Sequence, residues 1–111
     1  MTREERRVRR LTRQLAELGP MLPGSLTEQW NVCGTPGCRC KDPERPVKHG
    51  PYYQLSYTLQ GKGSTMFIKK EDLPEVRRRM KRYQRFRALC AELLQAHLNW
   101  ARKAGLSGRV T

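Results

Sequence analysis

Apolar residues recur every three or four positions near the start of the chain, at Val8, Leu11, Leu15 and Leu18. This spacing places them along one stripe of a helix. Thr2, followed three positions later by Glu5, fits a capping box, and Gly19 with Pro20 stops the pattern. The sequence therefore predicts an amphipathic helix over residues 3–18, and its apolar stripe needs a partner because so short a helix is not stable alone.

A second and longer helical pattern begins at Glu71 and continues to about Lys103. Pro74 falls in its first turn, where proline is tolerated, and Gly105 suits a C-cap. Its apolar face includes Leu89, Leu93 and Trp100. We expect this face to cover the stripe of the first helix, since four apolar positions are too few for a stable two-stranded coil. Such packing favours a monomer, and a homodimer through the stripe is the alternative.

Between the two helical patterns, apolar and polar residues alternate from Tyr53 to Leu59, which is typical of a half-buried strand. The sequence Gln60-Gly61-Lys62-Gly63 supplies a turn, and Ser64 to Ile68 forms the returning strand. Residues 52–68 are therefore predicted to be an antiparallel hairpin. A short element over residues 26–32 could add a third strand.

The segment from residue 33 to residue 50 is rich in glycine, proline and cysteine and has no regular periodicity. It contains the pattern Cys33-x4-Cys38-x-Cys40-x8-His49. Zinc takes four ligands tetrahedrally, and thiolate with imidazole is a preferred set, so the pattern predicts a structural zinc ion that orders the loop. Small buried cysteines without a metal, or an iron–sulfur cluster, are the alternatives. Cys90 is expected to pack in the core of the second helix.

These elements together predict an α+β fold with an N-terminal helix, a zinc-ordered loop, a two- or three-stranded antiparallel hairpin sheet and a long basic C-terminal helix. The expected organisation begins with an Arg-rich amphipathic helix (1–19) and a linker with a short element (20–32). A single small domain (33–105) follows, made of the zinc loop (33–50), the hairpin (52–68) and the long helix (71–105). Residues 106–111 form a tail.

The charge of the chain points to an anionic partner, because 23 lysines and arginines oppose 10 aspartates and glutamates and give a formal net charge of +13. Arginine outnumbers lysine, and its planar guanidinium group can donate two parallel hydrogen bonds to phosphate oxygens. One side of the second helix collects basic residues, so we predict phosphate contacts by Arg77, Arg78, Lys81, Arg82 and Arg85. An ordinary solvated face is the alternative. The first helix would then bind nucleic acid through Arg6, Arg7, Arg10 and Arg13.

The hairpin offers a second candidate surface for nucleic acid. Tyr53 and Tyr57 share a face with Leu55 and are expected in the core, whereas Tyr52 points the opposite way. Tyr52, with Lys62 and other nearby lysines, is therefore expected to contact nucleic acid by stacking on bases or entering a groove.

Other function classes lack their signatures. The chain has no G-x-S-x-G, H-E-x-x-H or phosphate-loop motif, so we predict that it is not an enzyme. Its N-terminus, MTREERRVRR, lacks the apolar stretch of a signal peptide, and no run of about 18 apolar residues could span a membrane. We therefore expect a cytoplasmic protein with reduced cysteines, which favours a metal site over disulfides.

The motif CGTPGCRC…HGPYYQLSYTLQGK resembles that of a family of small, uncharacterised, basic prokaryotic proteins often found beside transposases and integrases. The resemblance covers about residues 24–90 and rests on Cys33, Gly34, Pro36, Cys38, Cys40, His49, Gly50, Pro51 and Tyr52. The resemblance implies a mobile-element context and no mechanism. Together with the basic charge of the chain, this context leads us to expect a nucleoid-associated DNA-binding accessory factor of a mobile-element recombinase or transposase. An RNA-binding ribonucleoprotein component and a protein-interaction module docking on an acidic partner are the alternatives.

Overall fold

The computed structural model describes residues 1–106, which form two helices and three strands. In chain order these are α1 (Arg3–Ala16), β1 (Ser25–Asn31), β2 (His49–Leu59), β3 (Lys62–Ile68) and α2 (Leu73–Ala104). Short 3-10 turns cover Arg39–Lys41 and Lys70–Asp72. This order confirms the predicted α+β fold, and β1 supplies the third strand. Most of the predicted tail, residues 107–111, lies outside the described residues.

Local signals at both ends of α1 set its length. The Glu5 backbone N–H donates to the Thr2 hydroxyl at 3.2 Å, which satisfies one of the free donors of the first turn and confirms the predicted cap. The helix ends at Ala16, two residues before the predicted end. Gly19 then adopts a φ of 83°, a left-handed conformation that glycine reaches without steric cost.

The apolar stripe of α1 packs on α2 of the same chain, as predicted. A buried cluster is formed by Val8, Leu11, Leu89 and Ala96, with Leu15, Leu18, Leu93 and Trp100 packed against it. Lys103 pairs with Glu4 at 2.9 Å, whereas Arg82 donates from Nη1 to the Pro20 carbonyl at 3.1 Å. Contacts at the two ends therefore pair the start of α1 with the end of α2, so the helices run antiparallel.

The three strands form an antiparallel sheet in the order β1-β2-β3. Leu59 pairs with Lys62, so the turn between β2 and β3 contains only two residues. These are Gln60 and Gly61, with φ of 51° and 79°, as a type I′ turn requires. The predicted turn also included the next two residues, but both take part in the β3 ladder.

The two faces of the sheet differ in burial, and only one of them contains a fully buried residue. Directly paired residues lie on the same face, so Leu26, Leu55 and Met66 share one side. Leu55 is fully buried, and Tyr53 and Tyr57 beside it are half-buried, which agrees with their expected core positions.

The described residues group into two compact units. The helical unit contains Met1–Leu22 and residues from Arg77 onward, and the sheet unit contains Pro23–Val76. The predicted single domain over residues 33–105 joins the metal loop and hairpin to the long helix. The leucines of α1 pack on the part of α2 beyond its first turn, which places that part in the helical unit. Within residues 1–106, neither helix combines the length and apolar character needed to cross a membrane.

Candidate functional site

Strand pairing brings the two ends of the cysteine-rich loop together. Asn31 at the end of β1 pairs with His49 at the start of β2, after an irregularity between Gln29 and Asn31. Cys33 lies two residues beyond Asn31 along the chain. The sheet therefore places the first and last predicted metal ligands near each other, although 15 residues separate them in sequence.

Gly50 permits the close approach of β1 at this point. Its φ is 143°, a conformation that side chains rarely adopt. A Cβ atom there would lie 2.8 Å from the Gln29 carbonyl oxygen and 3.3 Å from the Trp30 Cα. Any larger residue would push β1 away from the start of β2 and thereby displace His49.

Backbone hydrogen bonds shape the middle of the loop around the other two cysteines. The Cys38 N–H donates to the Thr35 carbonyl at 3.4 Å, and the Lys41 N–H donates to the Cys38 carbonyl at 3.0 Å. The Val47 N–H donates to the Arg39 carbonyl at 2.8 Å, which folds the rest of the loop back. Cys38 therefore caps a single 3-10 turn, and Cys40 is the middle residue of that turn.

The four predicted ligands form one cluster, because their donor atoms all lie within 4.8 Å of one another. The sulfurs of Cys33 and Cys40 are 3.6 Å apart, and the Cys38 sulfur is 3.1 Å from Nε2 of His49. A tetrahedral ion with metal–sulfur bonds of about 2.3 Å would separate two sulfurs by about 3.8 Å. The donor set and the spacing both fit one four-coordinate metal ion.

The polar environment of the cluster favours the thiolate at two of the three cysteines. A hydrogen bond with the Thr35 backbone, assisted by Cys38, lowers the pKa of Cys33 to about 6. A hydrogen bond with the Cys40 backbone lowers the pKa of Cys38, whereas burial raises the pKa of Cys40. Hydrogen bonds with Cys33 and Cys38 raise the pKa of His49. Thiolates are the form that binds metal, so Cys33 and Cys38 favour ligation, whereas Cys40 and His49 must lose their protons to bind a cation.

A backbone donor also supports the buried sulfur of this cluster. The Cys33 N–H donates to the Cys40 sulfur at 3.2 Å. Such outer contacts orient a ligand and stabilise its negative charge. Cys90 lies on α2 and takes no part in the cluster, which agrees with its predicted exclusion from the ligand set.

A second site lies in the helical unit, where arginines from both helices meet. Five arginines line one concavity of about 530 Å³, and they are Arg3, Arg6, Arg7, Arg10 and Arg85. Leu11, Gln14 and Glu92 complete its lining. Among the described residues, Arg6, Arg10 and Arg85 form no ion pair. We call this concavity the arginine groove. Arg13 of α1, also predicted to contact nucleic acid, does not line it.

The predicted basic side of α2 is only partly exposed to solvent. Arg77, Arg78, Lys81 and Arg85 are exposed. Arg82 is half-buried, and its guanidinium holds the chain after α1 through the Pro20 carbonyl. Arg82 therefore has a structural contact that the periodicity of α2 could not indicate.

The two hairpin residues predicted to contact nucleic acid lie far apart. Tyr52 is near the start of β2, whereas Lys62 pairs with Leu59 at the turn, seven residues farther along β2. At about 3.3 Å per residue, the two positions are separated by about 23 Å. The structure instead places Tyr52 in a concavity with Phe67, Lys69 and Lys70. Phe67 was not among the predicted site residues, because the face that it occupies depends on the register of β3 against β2.

Charge is distributed unevenly between the two units. The helical unit has 15 basic and four acidic residues within the described chain, and the sheet unit has seven basic and six acidic residues. Nearly all of the net positive charge therefore belongs to the unit that contains the arginine groove.

Comparison with known proteins adds a family but no activity. The family model described as a domain of unknown function (DUF6788) matches residues 1–78. The match includes α1, the cysteine-rich loop, the sheet and the start of α2. No curated protein and no solved structure matches the chain.

Proposed function

We propose that this chain, which belongs to the family described as a domain of unknown function (DUF6788), is a non-catalytic nucleic-acid-binding protein. The observation that carries the proposal is the arginine groove, to which two antiparallel helices contribute five arginines. Arg6, Arg10 and Arg85 lack acidic partners within residues 1–106, so their charge is available to an external anion. A guanidinium binds phosphate oxygens in a planar, two-pronged arrangement.

The groove would bind the backbone of nucleic acid rather than its bases. Phosphates repeat along every sequence, so a row of guanidinium groups gives affinity and register without sequence preference. Such binding releases condensed counterions and weakens as salt is added. Glu92 is the one acidic residue in the groove, and its repulsion of phosphate would restrict where the strand can lie.

The test measures how duplex affinity depends on salt. Each phosphate contact contributes about 0.9 to the slope of log affinity against log salt concentration, so Arg10→Gln with Arg85→Gln should lower the slope by about 1.8. The matched control, Arg39→Gln with Arg45→Gln, removes the same charge from exposed positions of the sheet unit. It should leave the slope unchanged. An unchanged slope in the groove variant would identify the arginines as a solvated surface and refute the proposal.

We further propose that the cluster of three cysteines and His49 holds structural zinc. Three thiolates and one imidazole fill all four tetrahedral positions, so the ion would order the loop and leave no open position for a reacting water. We expect about one zinc per purified chain by elemental analysis. Cys38→Ser should abolish the bound zinc, and Cys90→Ser should retain it. Zinc well below one per wild-type chain would refute this proposal.

The resemblance of the cysteine-rich motif to that of proteins often found beside transposases and integrases supports a finer proposal. On that basis the chain is a cytoplasmic, nucleoid-associated factor that binds DNA in preference to RNA and assists a recombinase or transposase. Purification from its host followed by separate DNase and RNase treatment tests this preference. DNA that co-purifies despite RNase, and is enriched in mobile-element ends when sequenced, would support it. RNA alone would favour a ribonucleoprotein role, and salt-resistant capture of an acidic protein without nucleic acid would favour an interaction module.

A further inference from the structure

The open face of the sheet presents two aromatic rings to solvent. Phe67 on β3 is 75% exposed, and Tyr52 on β2 is 43% exposed. Phe67 pairs with Gln54, and Tyr52 lies two residues from Gln54 along β2, so all three side chains share one face. Diagonal neighbours of this kind lie about 7–8 Å apart on antiparallel strands. Tyr52 and Phe67 therefore form a pair of adjacent rings, which we call the aromatic face.

Lysines and polar side chains surround these rings. Tyr52, Phe67, Lys69 and Lys70 line one shallow concavity of about 450 Å³, which also includes Glu71. Beside the rings on the open face lie four uncharged polar residues, Thr27, Gln29, Gln54 and Thr65. The aromatic face therefore combines flat apolar surface with amide and hydroxyl groups, and two ammonium groups lie at its margin.

We infer that the aromatic face stacks on unpaired nucleobases, so that the protein binds single-stranded or locally unpaired nucleic acid more tightly than duplex. This inference rests on the proposed function, because a nucleic acid must reach the protein for its bases to be bound. Every base has a π-face on which an aromatic side chain can stack. Both faces of a base within a duplex are covered by its neighbours, so only an unpaired base can lie on Phe67.

The charge of the sheet unit determines what this surface can contribute. Seven basic residues nearly balance six acidic ones, so the unit adds little to the release of counterions. Stacking would therefore raise affinity without changing its dependence on salt. Amides at Gln29 and Gln54 could in addition donate to and accept from base edges, which would give a modest preference among bases.

The test compares a single-stranded oligonucleotide of about 12 nucleotides with its duplex at one salt concentration, by fluorescence anisotropy. Phe67→Thr and Tyr52→Thr remove the rings and keep a residue that suits a strand. Each should weaken single-strand binding by about five- to 150-fold and leave duplex affinity and the salt slope unchanged. Phe67→Tyr retains a ring and should retain the affinity. Leu59→Thr, at another exposed apolar position of the hairpin, is the matched control and should have no effect.

Each alternative outcome is distinguishable. An unchanged single-strand affinity in Phe67→Thr, with a reduced salt slope in the groove variant, would overturn the aromatic face and leave the proposed function intact. Equal weakening for single strand and duplex would also overturn it. Wild-type protein that binds neither substrate would overturn both proposals. A halved mass of Phe67→Thr in light scattering, with unchanged single-strand binding, would instead identify the face as an interface with a second copy.

Discussion

Truncation of Leu89 tests the packing that forms the arginine groove. Leu89 is 1% exposed and lies in the cluster with Val8 and Leu11 of α1. Leu89→Ala removes three carbons, and at about 0.8 kcal/mol per buried carbon the transfer term alone is about 2.4 kcal/mol. Two helices cannot fully close the space left behind, so the loss should reach about 3–5 kcal/mol. Small domains are stable by about 5–15 kcal/mol, so this change removes a large part of the total.

Leu94 provides the control on the same helix, because it is 65% exposed. Leu94→Ala should change the free energy of unfolding by less than about 0.5 kcal/mol. Urea unfolding can be followed by the fluorescence of Trp100, which packs against the cluster, in a Trp30→Phe background that removes the other tryptophan. Similar urea midpoints for the two leucine variants would refute the assigned packing of α1 on α2.

Three further predictions concern the metal loop and the first helix. Gly50→Ala should reduce the amount of metal found by elemental analysis, because its Cβ would meet the Gln29 carbonyl oxygen at 2.8 Å. Gly34→Ala is the control and should retain the metal, because no atom lies within 4 Å of its added Cβ. Apparent metal affinity, measured by competition with a chelator, should fall between about pH 7 and pH 5, because protons compete for the Cys33 thiolate, whose pKa is about 6, and for the His49 imidazole, whose pKa is raised by hydrogen bonds with Cys33 and Cys38. An affinity independent of pH would contradict ligation by these two groups. Thr2→Ala should lower stability by about 1 kcal/mol through loss of the cap, and Thr2→Ser should not, as judged by thermal unfolding.

Elements with a strong periodicity could be predicted from the sequence, and those that depend on a partner could not. The stripe from Val8 to Leu18 and the capping residue Thr2 were sufficient for α1. In β1 nearly every residue is exposed, so no alternation of burial distinguishes it, and only hydrogen bonding to β2 makes it a strand. The sequence could therefore offer residues 26–32 only as a candidate third strand.

The same distinction applies to the candidate sites. Cysteine and histidine are rare and chemically specific, so their spacing alone predicts the cluster that the structure shows. The sequence offers the arginines of α1 and of α2 only as alternatives, because their meeting in one groove depends on how the two helices are rotated about their axes. Phe67 was missed because its face is set by the register of β3 against β2.

The pairing of Asn31 with His49 has a consequence for the order in which the sheet unit assembles. It closes a loop of 17 intervening residues, for which the entropic term is about 2.5 kcal/mol. The pairing of β1 with β2 and metal ligation by the cysteines close overlapping loops. Strand pairing therefore brings the metal ligands together, and metal ligation brings the two strands together. Loss of ligation should therefore open the sheet from the Asn31 end, while the β2–β3 hairpin, closed by a two-residue turn, keeps its amides protected from hydrogen exchange.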